Sequence, residues 1–260
     1  MTQFSNNMSR VVLITGGGKG VGRGITEQFL ATGADVVICG RTAPDVLPEV
    51  NGVRPTFYEC DVRSSDALTT LFETVRERHG RLDVLVNNAG GTPFALTADA
   101  SQRFHESIVQ LNFTAPLLAA IRANAIMQAQ PEGGVIVFIA SISASTARPG
   151  SATYAAAKAG ILSLTKSLAI EWAPKVRVVS VSPGLVQTEQ SHLHYGDESG
   201  IDAVSETIPL KRMAQPREIG DACVFMASPQ AAYVSGVELL VHGGGEKPAF
   251  LEAANVNQGG

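Results

Sequence analysis

The chain has 260 residues, 45% of them hydrophobic and 17% charged, which allows a sizeable core and excludes a disordered polymer. Lys and Arg number 20 against 24 Asp and Glu, a formal charge of -4, which argues against a nucleic-acid binder. No apolar run approaches the roughly 18 residues that cross a bilayer, and Met1–Arg10 lacks the apolar stretch of a signal peptide, so a cytoplasmic protein with no membrane partner is expected.

In chain order, the β-branched run Arg10–Thr15 reads as a strand that ends in Gly16-Gly17-Gly18-Lys19-Gly20-Val21-Gly22. A helix follows, with Ile25, Phe29 and Leu30 on one side and Gly33 as its stop. Val36–Cys39 is a second strand. The Pro-bearing Thr42–Gly52 holds at most a brief helix before a strand within Arg54–Asp61. Ser64–His79 is helical, with Leu68, Leu71, Phe72 and Val75 apolar. Leu82–Val86 is a strand with Asp83 as its solvated start, and Asn87-Asn88-Ala89-Gly90-Gly91 is its turn. A long helical region, Ser101–Gln130, breaks near Asn112–Pro116. Val135–Ile139 is a strand, Tyr154–Ala173 an Ala-rich helix, and Val176–Val181 a strand closed by Ser182-Pro183-Gly184. The polar Glu189–Ser205 precedes a short helix, Glu218–Ala227, and the last strand, Val237–Val241.

Strands and helices alternate, and the strands are continuous apolar runs. Both features predict an α/β fold: one domain over residues 1–260, with a doubly wound parallel sheet of about seven strands and helices on both faces. Ligands bind such sheets at the carboxyl ends of the strands. Residues 1–8 are expected to be a flexible N-terminus, and residues 246–260 an extension that packs across a subunit boundary through Pro248, Phe250 and Leu251. Cys39, Cys60 and Cys223 form no CxxC pair and are expected to be buried in a reducing compartment.

A strand, a glycine cluster and a helix make a ready anion site, because glycines admit a pyrophosphate and the helix start presents free N–H groups. The spacing Thr15-Gly16-x-x-x-Gly20-x-Gly22 is neither Gly-x-Gly-x-x-Gly nor a Walker loop. Tyr154 and Lys158 lie four apart on one helix face, and an ammonium beside a phenol favours the phenolate. The pair is a candidate general acid/base. His192 and His194 have no further ligand cluster beside them, so no metal is expected.

The chain resembles the short-chain dehydrogenase/reductase family. The glycine loop, Asn87-Asn88-Ala89-Gly90, Tyr154-Ala-Ala-Ala-Lys158 and Pro183-Gly184 match that family's motifs in order and spacing over about residues 9–245. Each alone is weak, and the four in register are specific. The resemblance implies a Rossmann-type fold and an oxidoreductase that passes hydride between a nicotinamide cofactor and a carbonyl or secondary alcohol. It implies Asn112, Ser141, Tyr154 and Lys158 as the catalytic set. It implies Thr15, Gly16, Gly18, Lys19, Gly20, Val21, Gly22, Asp61, Val62, Asn88, Ala89, Gly90, Pro183, Gly184, Val186 and Thr188 around the cofactor, joined by Tyr154 and Lys158. The position that would be acidic for NAD is Gly40, and Arg41 follows, so NADP(H) is expected, with NAD(H) the alternative. Glu189–Ser205 falls where relatives carry a substrate lid. A 3-oxoacyl thioester is one candidate substrate; a hydroxyacyl-CoA, hydroxysteroid or sugar alcohol is the alternative, and a non-catalytic NADP-binding sensor a third reading. Arg148, Lys211 and Arg212 are either contacts for an acidic carrier or surface charges. Relatives form dimers or tetramers, so a homo-oligomer is expected.

Overall fold

The computed structural model describes residues 9–250. The N-terminal segment 1–8 and most of the expected C-terminal extension, 251–260, lie outside the described residues.

Seven parallel strands form one sheet: β1 (Val11–Thr15), β2 (Asp35–Gly40), β3 (Thr56–Glu59), β4 (Val84–Asn87), β5 (Gly134–Ile139), β6 (Val176–Pro183) and β7 (Glu238–Val241). Their order is β3-β2-β1-β4-β5-β6-β7. The chain runs outward from β1 to β3 and then returns to the other side of β1. The switch between β1 and β4 therefore opens a crevice above their carboxyl ends, where an open α/β sheet binds ligands.

Side chains alternate along each strand, so both faces are apolar. Val11 and Leu13 pack into one core with Leu68, Leu71, Phe72 and Val75 of α2 (Ser65–His79). That core also takes Ala119, Ala123 and Met127 of α4 (Ala115–Ala129) and Ile161 and Leu168 of α5 (Ala152–Glu171). Val12 and Ile14 face the other way, onto Ile25, Phe29 and Leu30 of α1 (Gly20–Ala31) and Ile219, Cys223 and Met226 of α8 (Pro216–Ala227). α1 and α8 touch backbone to backbone: a Cβ on Gly24 would lie 2.3 Å from the Pro216 carbonyl carbon.

The long helical region divides into α3 (Gln102–Val109), one π-helical turn at Gln110–Thr114, and α4. The expected break is thus a widened turn, and Asn112 sits inside it. Ser64 and Ser101 cap α2 and α3 by accepting from the Ala67 and Phe104 amides.

Thr42–Gly52 holds no helix, within the expected bound; it ends in a tight reversal where Val50 and Val53 exchange amide–carbonyl bonds of 2.9 and 3.0 Å across Asn51 (φ 52°) and Gly52 (φ 80°). One expectation changes. Asp83 is buried, not solvated. It accepts from the Val11 amide (2.8 Å) and from both forks of Arg81, and so ties β1 to the start of β4. The polar stretch after β6 is largely helical, with α6 (His192–Tyr195) and α7 (Glu198–Thr207), the latter capped by Asp197 accepting from Gly200.

Candidate active site

A crevice of about 740 Å³ opens over the carboxyl ends of the strands. The glycine loop forms its floor. Gly16 (φ 67°) and Gly20 (φ 49°) take left-handed conformations. Gly22 has no room for a side chain, since a Cβ there would lie 2.1 Å from the Gly16 carbonyl oxygen. α1 then starts at Gly20 with no cap from the Lys19 side chain, so its first amides turn to acceptors in the crevice. These features fit the pyrophosphate of a dinucleotide.

Thr15 does not line the crevice. Its buried hydroxyl oxygen accepts from the Asn88 and Ala89 amides, both at 3.0 Å. The Asn88 amide group donates back to the Thr15 and Gly16 carbonyls at 3.0 and 3.1 Å. Thr15 therefore staples the glycine loop to the turn after β4, one layer behind the ligand surface.

At the β2–β3 end the crevice is lined by Gly40, Arg41, Asp61, Val62 and Arg63. A Cβ on Gly40 would meet nothing nearer than 3.7 Å, so the position leaves open space where an acidic side chain would stand. Arg41 and Lys19, two of the residues expected around the cofactor, have no ion-pair partner among the described residues. Arg63 grips Asp61 through Nε and Nη2, at 3.0 and 2.6 Å. This pair, with Arg41 nearby, holds the Asp61 carboxyl below its ordinary pKa. The sequence reading missed Arg63, although it directly follows the predicted Asp61 and Val62.

The candidate catalytic groups converge on the other side. Ser141 lies two residues beyond β5; its hydroxyl donates to Ser143 Oγ (3.1 Å), and it is close enough to the Tyr154 phenol to influence its protonation. Tyr154 and Lys158 project from the first turns of α5, with Lys158 Nζ 5.6 Å from the centre of the phenol ring. Lys158 is buried and donates to the Ile139 carbonyl at 2.8 Å. Asn112 is fully buried beneath them, where it accepts from the Gly91 amide (2.9 Å) and donates to the Gly91 and Ile108 carbonyls. Like Thr15, it stands behind the crevice lining. A Cβ on Gly90 would lie 2.8 Å from Asn112 Oδ1 and 3.3 Å from Lys158 Nζ, so the two side chains meet over that glycine.

The electrostatics differ from the sequence expectation. Burial pushes the Tyr154 phenol up, and the Ser141 hydroxyl opposes this only in part. Burial pulls the Lys158 amine down to about 8. In the protein alone, desolvation is the leading influence on both groups.

Pro183, Gly184, Val186 and Thr188 close the crevice beyond β6, with Glu189 and Gln190 after them. Glu189 was not foreseen, and its carboxylate accepts from the Gly20 amide at 3.0 Å. His192 is exposed, and no group of three or more His, Cys, Asp or Glu side chains that could hold a metal comes together among the described residues.

A family model described as Enoyl-(Acyl carrier protein) reductase matches residues 16–246, nearly the whole described chain. The chain is a member of the short-chain dehydrogenase/reductase family. An uncharacterized short-chain type dehydrogenase/reductase of Sinorhizobium fredii, y4vI, is 35% identical over 241 residues; the match covers 90% of this chain but 43% of that longer protein. The 3-oxoacyl-[acyl-carrier-protein] reductase MabA of Mycobacterium tuberculosis is also 35% identical, with 91% of this chain and 93% of MabA covered. Among solved structures, the aldohexose dehydrogenase AldT of Thermoplasma acidophilum superposes with a TM-score of 0.85 at 29% identity, covering 93% of this chain and 96% of that one. As a short-chain dehydrogenase/reductase the protein is an oxidoreductase of alcohol and carbonyl groups in small molecules, and its family binds NAD(P). Among the described residues no helix is long and apolar enough to cross a membrane.

Proposed function

We propose that the protein is an NADP(H)-dependent reductase of a ketone, or dehydrogenase of the matching secondary alcohol. The observation that carries this is the convergence of Ser141, Tyr154 and Lys158 at the edge of a crevice floored by the glycine loop. The bound nicotinamide supplies the hydride in reduction and accepts it in oxidation. Ser141 donates a hydrogen bond to the substrate oxygen and fixes it beside the phenol. Tyr154 gives its proton to that oxygen in reduction and takes it back in oxidation. Lys158 stabilises the phenolate left behind, and Asn112 positions the loop at Gly91 and the space beside the amine. A panel of carbonyls and alcohols, followed by nicotinamide absorbance with each cofactor, tests the reading. Nicotinamide binding without turnover on any member would favour the sensor instead.

For the cofactor, open space at Gly40 and two cations with no ion pair among the described residues, Arg41 and Lys19, support a 2′-phosphate. Arg41→Ala should raise KM for NADPH about tenfold or more, the value of a charge-assisted hydrogen bond, and leave KM for NADH nearly unchanged. Equal changes for both cofactors would contradict the assignment.

The name of MabA supports a 3-oxoacyl thioester as substrate. A specific observation favours the second reading, a small free alcohol such as a sugar. The three cations that could greet an acidic carrier are each occupied: Arg148 by Glu246, Lys211 by Glu206 and Arg212 by Glu218. The name of AldT agrees with it.

The reading includes a cytoplasmic homo-oligomer, a dimer or tetramer built on α4, α5 and β7. Ile121, Ile170 and Leu240 expose apolar surface on these elements, and all three cysteines are free thiols in the interior. Light scattering should give a multiple of the chain mass; a monomer at micromolar concentration would remove this part.

A further inference from the structure

Cofactor-site loops are expected to leave their anion-binding amides free, and here one is taken. The Gly20 amide, the first of α1, donates to Glu189 Oε1 at 3.0 Å across the crevice. Both residues line the space assigned above to the dinucleotide. Lys19 provides no side-chain cap, so the carboxylate is the acceptor that this helix start uses. Thr188 reaches the same place: a Cβ on Gly20 would lie 3.6 Å from Thr188 Cγ2.

Glu189 belongs to a tight turn. The Thr188 amide donates to Ser191 Oγ (2.9 Å), the Ser191 amide donates to the Thr188 carbonyl (3.0 Å), and Ser191 is buried. α6 begins at the next residue. The turn that carries Glu189 thus leads directly into the α6–α7 segment.

We infer that Glu189 is a tethered anion that occupies the pyrophosphate position of the cofactor-free enzyme and must be expelled when NADP(H) binds. The inference rests on the nicotinamide-cofactor reading above. A carboxylate and a diphosphate carry like charge and would compete for one helix N-terminus. Only the fraction of molecules with Glu189 released is competent to bind, so the latch weakens apparent cofactor affinity by that fraction. The same contact, when it re-forms, competes with the pyrophosphate for the Gly20 amide and assists departure of the spent cofactor.

Calorimetric titration of the full-length protein with NADP⁺, inorganic pyrophosphate and adenosine 2′-monophosphate tests this in wild type, Glu189→Gln and Glu189→Ala. Glu189 is exposed, so neither change should disturb folding. NADP⁺ and pyrophosphate should bind both variants about three- to tenfold more tightly than wild type. Adenosine 2′-monophosphate, which reaches only the far end of the crevice, should bind all three alike. Unchanged or weaker NADP⁺ binding in both variants would overturn the latch, because the contact then coexists with the cofactor. Equal tightening of adenosine 2′-monophosphate would overturn it too, as a general loss of negative charge. Failure of wild type to bind NADP⁺, NAD⁺ or adenosine 2′-monophosphate would instead sink the cofactor reading, and this inference with it.

Discussion

Tyr154→Phe should lower kcat in both directions by about 10²- to 10⁴-fold, the range of a single general acid/base. The ring stays and only the hydroxyl goes, so Kd for the cofactor should move little. A rate within a few-fold of wild type would remove Tyr154 from the chemistry. The pH profile carries the same logic. Burial holds the phenol protonated through neutral pH, which suits the acid needed for reduction. The amine that steadies its conjugate base loses charge above about 8. Reduction should therefore be level in the neutral range and fall as pH rises through about 8. A reduction rate that climbs steadily to pH 10 would contradict this assignment.

Lys158→Met should separate activity from stability. The variant loses the cation beside the phenol and should fall by about 10²-fold or more in kcat. It should also be more stable at neutral pH. The amine titrates near 8 in the folded protein against an ordinary 10.5, so between these values the unfolded chain binds more protons and stability rises with pH. Below about 8 both states are protonated, and burying the charge costs the fold about 3 kcal/mol. Methionine fills much of the same volume without that cost, while the Ile139 carbonyl loses its partner, at about 1 kcal/mol. The net gain should raise Tm by a few degrees at pH 7, and the difference from wild type should shrink toward pH 10. A lower Tm at pH 7 with an unchanged fold would mean that Lys158 is not held as a costly buried charge.

The sheet was legible because a strand covered on both faces is largely apolar, and Val36–Cys39 and Val135–Ile139 stand out as such runs. The crevice was legible for a related reason. Glycines at Gly16 and Gly22 answer to backbone approach, which leaves a spacing in the sequence. What stayed hidden was pairing between distant residues. Asp83 reads as an exposed acid until the Val11 amide and Arg81 are seen around it. Thr15 reads as a ligand contact until its hydroxyl is found bonded to the turn after β4. Glu189 is one acid in a polar stretch, and only the fold brings it to Gly20, 169 positions away. The Asn51-Gly52 reversal was a local signal that was passed over, since this pair supplies the positive φ a tight reversal needs.

The widened turn at Gln110–Thr114 has a steric corollary. An α-helix advances its side chains by about 100° per residue, so one inserted residue swings everything upstream by about that angle. α3 can then direct His105 to the Thr153 hydroxyl, beside Tyr154, while α4 keeps its alanines on the sheet. Neither half could satisfy both neighbours in one unbroken phase. The insertion is thus a gear change within a single rod, and it lets the support behind Tyr154 and the scaffold under the sheet keep different angular settings.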